Sequence, residues 1–155
     1  MSLKLNQERY SVVVYPQKEI IANVRAIKDI LADKVGYYAS RNSEAHITIL
    51  EFYANHKEFI SCKLYVRNFC YSQKSQNVLF DNLIISDGNG AVVLLPSANS
   101  KRYLRVLLKS FRDGLKSTDF VSGAGAHISI GRKLTPNQIK IANNIFDDIS
   151  LDFVC

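Results

Sequence analysis

Apolar residues recur along this chain with two periods, and the switching between them predicts an order of elements. Residues 9 to 15, Arg-Tyr-Ser-Val-Val-Val-Tyr, are β-branched and aromatic and are closed by Pro16, which reads as a strand. From Lys18 to Val35 the apolar positions Ile20, Val24, Ile27 and Leu31 follow helical spacing, and Gly36 supplies the stop. Residues 45 to 53 return to strand period. Asn55, with Glu58 three residues on, opens a second helix whose inner face is Phe59, Cys62, Val66 and Phe69. A strand over 77 to 85 then runs into the turn Asp87-Gly88-Asn89-Gly90.

The same order then recurs. Ala91 to Leu95 is a strand stopped by Pro96, and Leu104, Leu107, Phe111 and Leu115 mark an amphipathic helix over residues 98 to 117. A strand starts at His127. Thr135-Pro136-x-Gln138 supplies a cap, a Pro at the first helical position and a capping-box partner for the last helix, and Leu151 to Val154 closes as a short strand. Each half therefore reads strand-helix-strand-helix-strand. The spacing agrees as well: 46 − 10 and 127 − 91 both give 36, from Tyr10 to His46 and from Ala91 to His127. A repeat of about 70 residues is too long for a solenoid unit, so the pattern predicts one domain over 1–155, built from similar lobes at 9–85 and 91–155 that face each other.

Composition narrows the class. An apolar fraction of 47% in 155 residues suffices for a shared core. Met1 to Tyr10 carries Lys4, Glu8 and Arg9 with no apolar run behind it of signal-peptide length, and no stretch approaches a membrane span. A soluble, cytoplasmic monomer is the expectation. Cys62, Cys70 and Cys155 form no CxxC pair, and their odd count argues for idle or buried thiols over a disulfide framework or structural zinc. The net charge of +6 favours a polyanionic partner such as RNA or a phosphate ester, because basic charge raises the local concentration of anions.

Candidate chemistry lies in two matching stretches, His46-Ile47-Thr48-Ile49 and His127-Ile128-Ser129-Ile130. In strand period the His and the hydroxyl share one face and the isoleucines take the other. One such stretch carries little information, but two of the chain's three histidines sit in one. Across a shared cleft, one neutral imidazole would take a proton from water while the other, as imidazolium, protonates a leaving oxygen. Thr48 and Ser129 are placed to donate hydrogen bonds to phosphoryl oxygens. This scheme needs no metal and no other cofactor, and carboxylates are sparse around both stretches.

On these residues the chain resembles the 2H phosphoesterase superfamily, close to its 2'-5' RNA ligase-like or LigT-like group. That family carries two His-x-Thr/Ser-x motifs with apolar x, one per lobe of a duplicated α+β fold, and the element order here matches over nearly the whole chain. The second motif holds Ser129 where Thr is commoner, which keeps the hydroxyl. The resemblance implies duplicated βαβαβ lobes whose antiparallel sheets face each other across a central cleft. It also implies hydrolysis of 2',3'-cyclic phosphodiesters of nucleotides or RNA ends, or the opening or sealing of 2'-5' linkages. By the same resemblance His46 is assigned as the leaving-group acid and His127 as the base that activates water, an assignment that the pseudo-symmetry of the two motifs leaves reversible.

Weaker candidates carry blander readings beside the functional ones. Arg132 follows the second motif as a basic residue often does in that family and would steer phosphate, yet strict alternation turns it away from Ser129. Tyr10, Tyr15, Phe52 and Tyr103 are candidates for stacking on a base, although eight Tyr and eight Phe in a domain this size mostly serve the core. His56, in the first turn of a helix, lacks a hydroxyl partner and reads as an exposed residue. The glycines of Ser122-Gly-Ala-Gly-Ala126 precede a strand, whereas a dinucleotide loop follows one, so they read as a flexible entry to the cleft.

Overall fold

The computed structural model describes residues 6–115 and 125–155 together with the backbone of 120–122. The element order is β1 (Glu8–Val14), α1 (Lys18–Val35), β2 (Ile47–Ala54), α2 (His56–Ser72), β3 (Asn77–Ser86), β4 (Ala91–Pro96), α3 (Ala98–Gly114), β5 (Phe120–Ser122), β6 (Ile128–Gly131), α4 (Pro136–Ile145) and β7 (Leu151–Val154). Every strand and helix expected from the patterning is present, and β5 is additional. Helix α3 stops at Gly114 instead of 117, and residues 116 and 117 lie outside the described residues. Both capping boxes form: Asn55 Oδ1 accepts from Glu58 N at 3.0 Å, and Thr135 Oγ1 from Gln138 N at 3.3 Å, with the reciprocal bond made in each case.

The class is α+β, with two antiparallel sheets of order β1-β2-β5 and β6-β4-β3-β7. Sheet membership corrects the expectation that each half of the chain keeps its own strands. β3, placed in the 9–85 lobe, pairs with β4 and β7, while β5 from the second half pairs with β2. The reason is local: β3 and β4 are joined by the turn 87–90, and strands joined that tightly pair with each other. Gly90 permits it. Its φ is +65°, and a Cβ there would stand 2.3 Å from the carbonyl oxygen of Leu134, whose N–H donates to Gly90 O at 2.9 Å.

The pairings beside the two motifs have one register. Val13 lies opposite Thr48 and Val93 opposite Ser129. The next partners outward are Val12 with Leu50 and Val92 with Gly131, so each ladder skips one residue, Ile49 in β2 and Ile130 in β6. These are β-bulges, each one residue after a motif hydroxyl.

Two apolar clusters hold the elements. The larger joins α1, α4 and the four-stranded sheet through Val24, Leu31, Phe80, Leu94, Ile128, Ile130, Ile139 and Phe153. The smaller packs β2 against α2 and α3 through Ile49, Leu50, Phe52, Cys62, Leu108 and Phe111. Strand β2 passes from one to the other, since Ile47 belongs to the larger cluster and Ile49 and Leu50 to the smaller. Cys62, Cys70 and Cys155 are all free thiols. Among the described residues, no helix is long and apolar enough to cross a membrane.

Candidate functional site

His46 and His127 each stand one residue before a strand, β2 and β6, on separate sheets. Ile47, Ile49, Ile128 and Ile130 are buried while the histidines and hydroxyls are half-buried, so the division of faces read from the strand period holds at both places. The four side chains meet in one pocket of about 60 Å³, lined also by Ser43, Glu44 and Arg132. The pocket has room for a small polar group, with the remainder of any larger ligand outside.

The histidines are oriented in the same way. His46 Nδ1 lies 2.8 Å from Glu44 O and His127 Nδ1 2.9 Å from Gly125 O, in each case the carbonyl two residues back. A carbonyl only accepts, so in each neutral ring Nδ1 carries the hydrogen and Nε2 keeps its lone pair for a ligand. Two imidazoles held so can act on one bound group, one as acceptor and one, when protonated, as donor.

The bulges create a local problem, and side chains solve it. A residue skipped by the ladder leaves a backbone carbonyl without its strand partner. Ile49 O accepts from Arg112 Nε at 2.9 Å and Nη2 at 2.6 Å, and Ile130 O accepts from the Tyr38 hydroxyl at 3.2 Å. Burial pushes the Tyr38 hydroxyl up to about 12, which keeps it a donor.

Arg132 lines the pocket, contrary to the alternation argument, because β6 ends at Gly131 and strand period no longer governs the next side chain. Lys133 follows with φ of 56°, turning the chain there. Tyr10 and Phe52 do not reach the pocket. Tyr10 stacks on Phe59 at 4.3 Å between ring centroids and donates to Glu8, and Phe52 is buried in the smaller cluster. Tyr103 donates to Lys74 O and Cys155 O beside a separate apolar cavity of about 370 Å³. Tyr15 is the stacking candidate nearest the motifs, exposed and edge-on to His46 at 6.1 Å between ring centroids. His56 is exposed, as expected. Of the expected entry loop, residues 123 and 124 lie outside the described residues.

Patterning missed Ser43 and Glu44, which sit in the loop before β2 with no motif to mark them. It also missed the supports beneath them. Lys28, on α1, is 1% exposed and donates from Nζ to Ser40 O at 3.2 Å, Ser43 O at 2.7 Å and Ser43 Oγ at 3.0 Å. A signal existed: Lys28 falls four residues after Val24 and three before Leu31, on the apolar stripe of its helix. Burial and the nearby Arg25 and Arg132 charges bring its ammonium down to about 8. Among the described residues, no three His, Cys, Asp or Glu side chains are grouped to hold a metal ion. No protein-family model matches the chain, and no curated protein matches it in sequence.

Proposed function

We propose that this protein is a metal-independent phosphoesterase that hydrolyses, or reversibly forms, cyclic 2',3' or 2'-5' phosphodiester bonds of nucleotides or RNA ends. The observation that carries the reading is the convergence of two His-x-hydroxyl stretches, from separate sheets, on one pocket, each His with its Nδ1 against the carbonyl two residues back. The equal registers, with a bulge one residue after each hydroxyl, support reading the fold as a duplication in which β1-α1-β2 corresponds to β4-α3-β6. The resemblance to the 2H phosphoesterases adds the reaction class.

In this reading water attacks phosphorus and gives its proton to His127 Nε2, while the P–O bond to the leaving oxygen breaks and that oxygen takes a proton from His46 Nε2. Thr48 and Ser129 donate hydrogen bonds to the non-bridging oxygens as their charge grows, and Arg132 adds a fixed positive charge. The overall charge of +6 draws the anionic substrate in.

The test is incubation of the purified protein with each 2',3'-cyclic nucleotide in excess EDTA, with product identification by chromatography. Ring opening to a single monophosphate regioisomer is expected, at the same rate with and without chelator. Loss of turnover in EDTA that a divalent ion restores would reject the mechanism. Binding without turnover in either medium would make the protein a nucleotide- or RNA-binding module.

A further inference from the structure

Four consecutive carbonyls, Ser40 to Ser43, all accept hydrogen bonds from cations of α1. Lys28 Nζ serves Ser40 O and Ser43 O, and Arg25 serves Arg41 O at 2.7 Å and Asn42 O at 3.0 Å. An ammonium has three protons to donate, and Lys28 places all three on this turn, the third on Ser43 Oγ. No carboxylate pairs with Lys28 among the described residues. A buried, unpaired lysine is a costly feature, and such groups persist where they hold something in place.

What it holds is the front of the site. The Ser43–Glu44 peptide is trans, so the Glu44 N–H points opposite to the Ser43 carbonyl, away from Lys28. Ser43 and Glu44 both line the pocket, and no described residue accepts from the Glu44 N–H. The other end of Glu44 is the carbonyl that receives His46 Nδ1. The same turn reaches the second motif, because Ser40 Oγ accepts from Arg132 N at 2.9 Å.

We propose that Lys28 is a positioning residue, which by fixing the Ser43–Glu44 peptide sets the tautomer and direction of His46 and turns the Glu44 N–H onto an anion in the pocket. The ligand class is a phosphoryl or similar oxyanion, and this step rests on reading the pocket as a phosphate site. His127 Nδ1 is held by Gly125 O, outside the 40–43 turn that Lys28 bonds, so its tautomer serves as the internal comparison.

The experiment is long-range proton–nitrogen NMR of both imidazoles in the wild type, Lys28→Met and Ser43→Ala, in their neutral forms, followed by titration with inorganic phosphate. In the wild type both rings should carry the hydrogen on Nδ1, and phosphate should shift the Glu44 amide. In Lys28→Met, His46 alone should populate both tautomers and phosphate affinity should fall about tenfold, with a smaller change of the same sign in Ser43→Ala. None of these readouts needs turnover, so they stand apart from the phosphoesterase reading.

If Lys28→Met does not fold, raising the pH of the wild type through 8 removes the Lys28 proton instead. The groups facing it are Arg25, Arg132 and Tyr38, whose hydroxyl burial pushes up to about 12, so that it keeps its proton in that range. His46 signals should then move with that midpoint while those of His127 stay fixed. A single His46 tautomer retained in a folded Lys28→Met protein, or through the alkaline titration, would overturn the proposal, as would a Glu44 amide that phosphate leaves unmoved.

Discussion

At the scale of single residues, the site rests on two Nδ1 bonds to carbonyls and two hydroxyls. Replacing either His46 or His127 with Ala should lower kcat on the order of 10²-fold or more with a much smaller change in KM, since proton transfer is realised in the transition state. Thr48→Ala and Ser129→Ala should each lose less. Steady-state kinetics on a cyclic nucleotide the wild type consumes would decide it, and near-wild-type kcat in either His variant would end the two-histidine scheme. In the proposed mechanism the two imidazoles need opposite protonation states, so the rate should follow a bell in pH.

Lys28 gives a second residue-scale prediction, with a definite sign. Its folded-state pKa, about 8, lies below the ordinary 10.5, so between those values the unfolded chain binds more protons and stability rises with pH. The cost of burying the charge, roughly 3 kcal/mol for a shift of this size, is present in full below pH 8 and relieved toward 10.5. Tyr38 acts in the opposite direction: raised from 10 to about 12, its contribution is full below pH 10 and lost toward 12. Urea unfolding of wild type and Lys28→Met should show their stability difference moving in favour of the wild type from pH 8 to 10. A flat difference would mean that Lys28 stays charged or finds water.

At the scale of elements, most of the fold was legible because local signals agreed with the tertiary outcome. Helix α1 begins and ends where Lys18 and Val35 were read, and both capping boxes were visible as Asn55-x-x-Glu58 and Thr135-x-x-Gln138. The motif histidines were legible too, since a two-residue period needs only the chain itself. Pairing was not. Whether β3 joins β2 or β4 is settled by partners distant in sequence, and the bulges at Ile49 and Ile130 exist only once strands are aligned. Strand alternation did not extend to Arg132 for the same reason, because the end of β6 at Gly131 is a pairing fact. Gly90 tests the β3–β4 turn. Gly90→Ala should destabilise by about 2 kcal/mol or more, from positive φ together with a contact against the Leu134 backbone. A thermal melt would measure it, and an unchanged Tm would mean that the turn has other conformations open to it.

At the scale of the whole molecule, β2 ties the two apolar clusters together, with Ile47 in one and Ile49 and Leu50 in the other. Neither cluster can come apart without pulling on this strand. Unfolding should therefore be a single cooperative step, with coincident urea curves from far-ultraviolet circular dichroism and from tyrosine fluorescence. Separated midpoints would show that the sheets melt independently.

The pairing pattern also has a kinetic consequence. β3 and β4 are joined by a four-residue turn, but Val78 and Phe153, paired across β3 and β7, lie 153 − 78 = 75 positions apart, and β1 and β6 each reach their partners across an intervening helix or longer. Loop closure on that scale must precede any gain from the contacts, which slows folding relative to a helical bundle of similar length. The hairpin at 77–96, closed by a short turn, can pair earliest. The pocket needs β2 and β6 both docked, so in a refolding experiment the phosphate binding proposed for it should emerge last, after backbone protection of the hairpin.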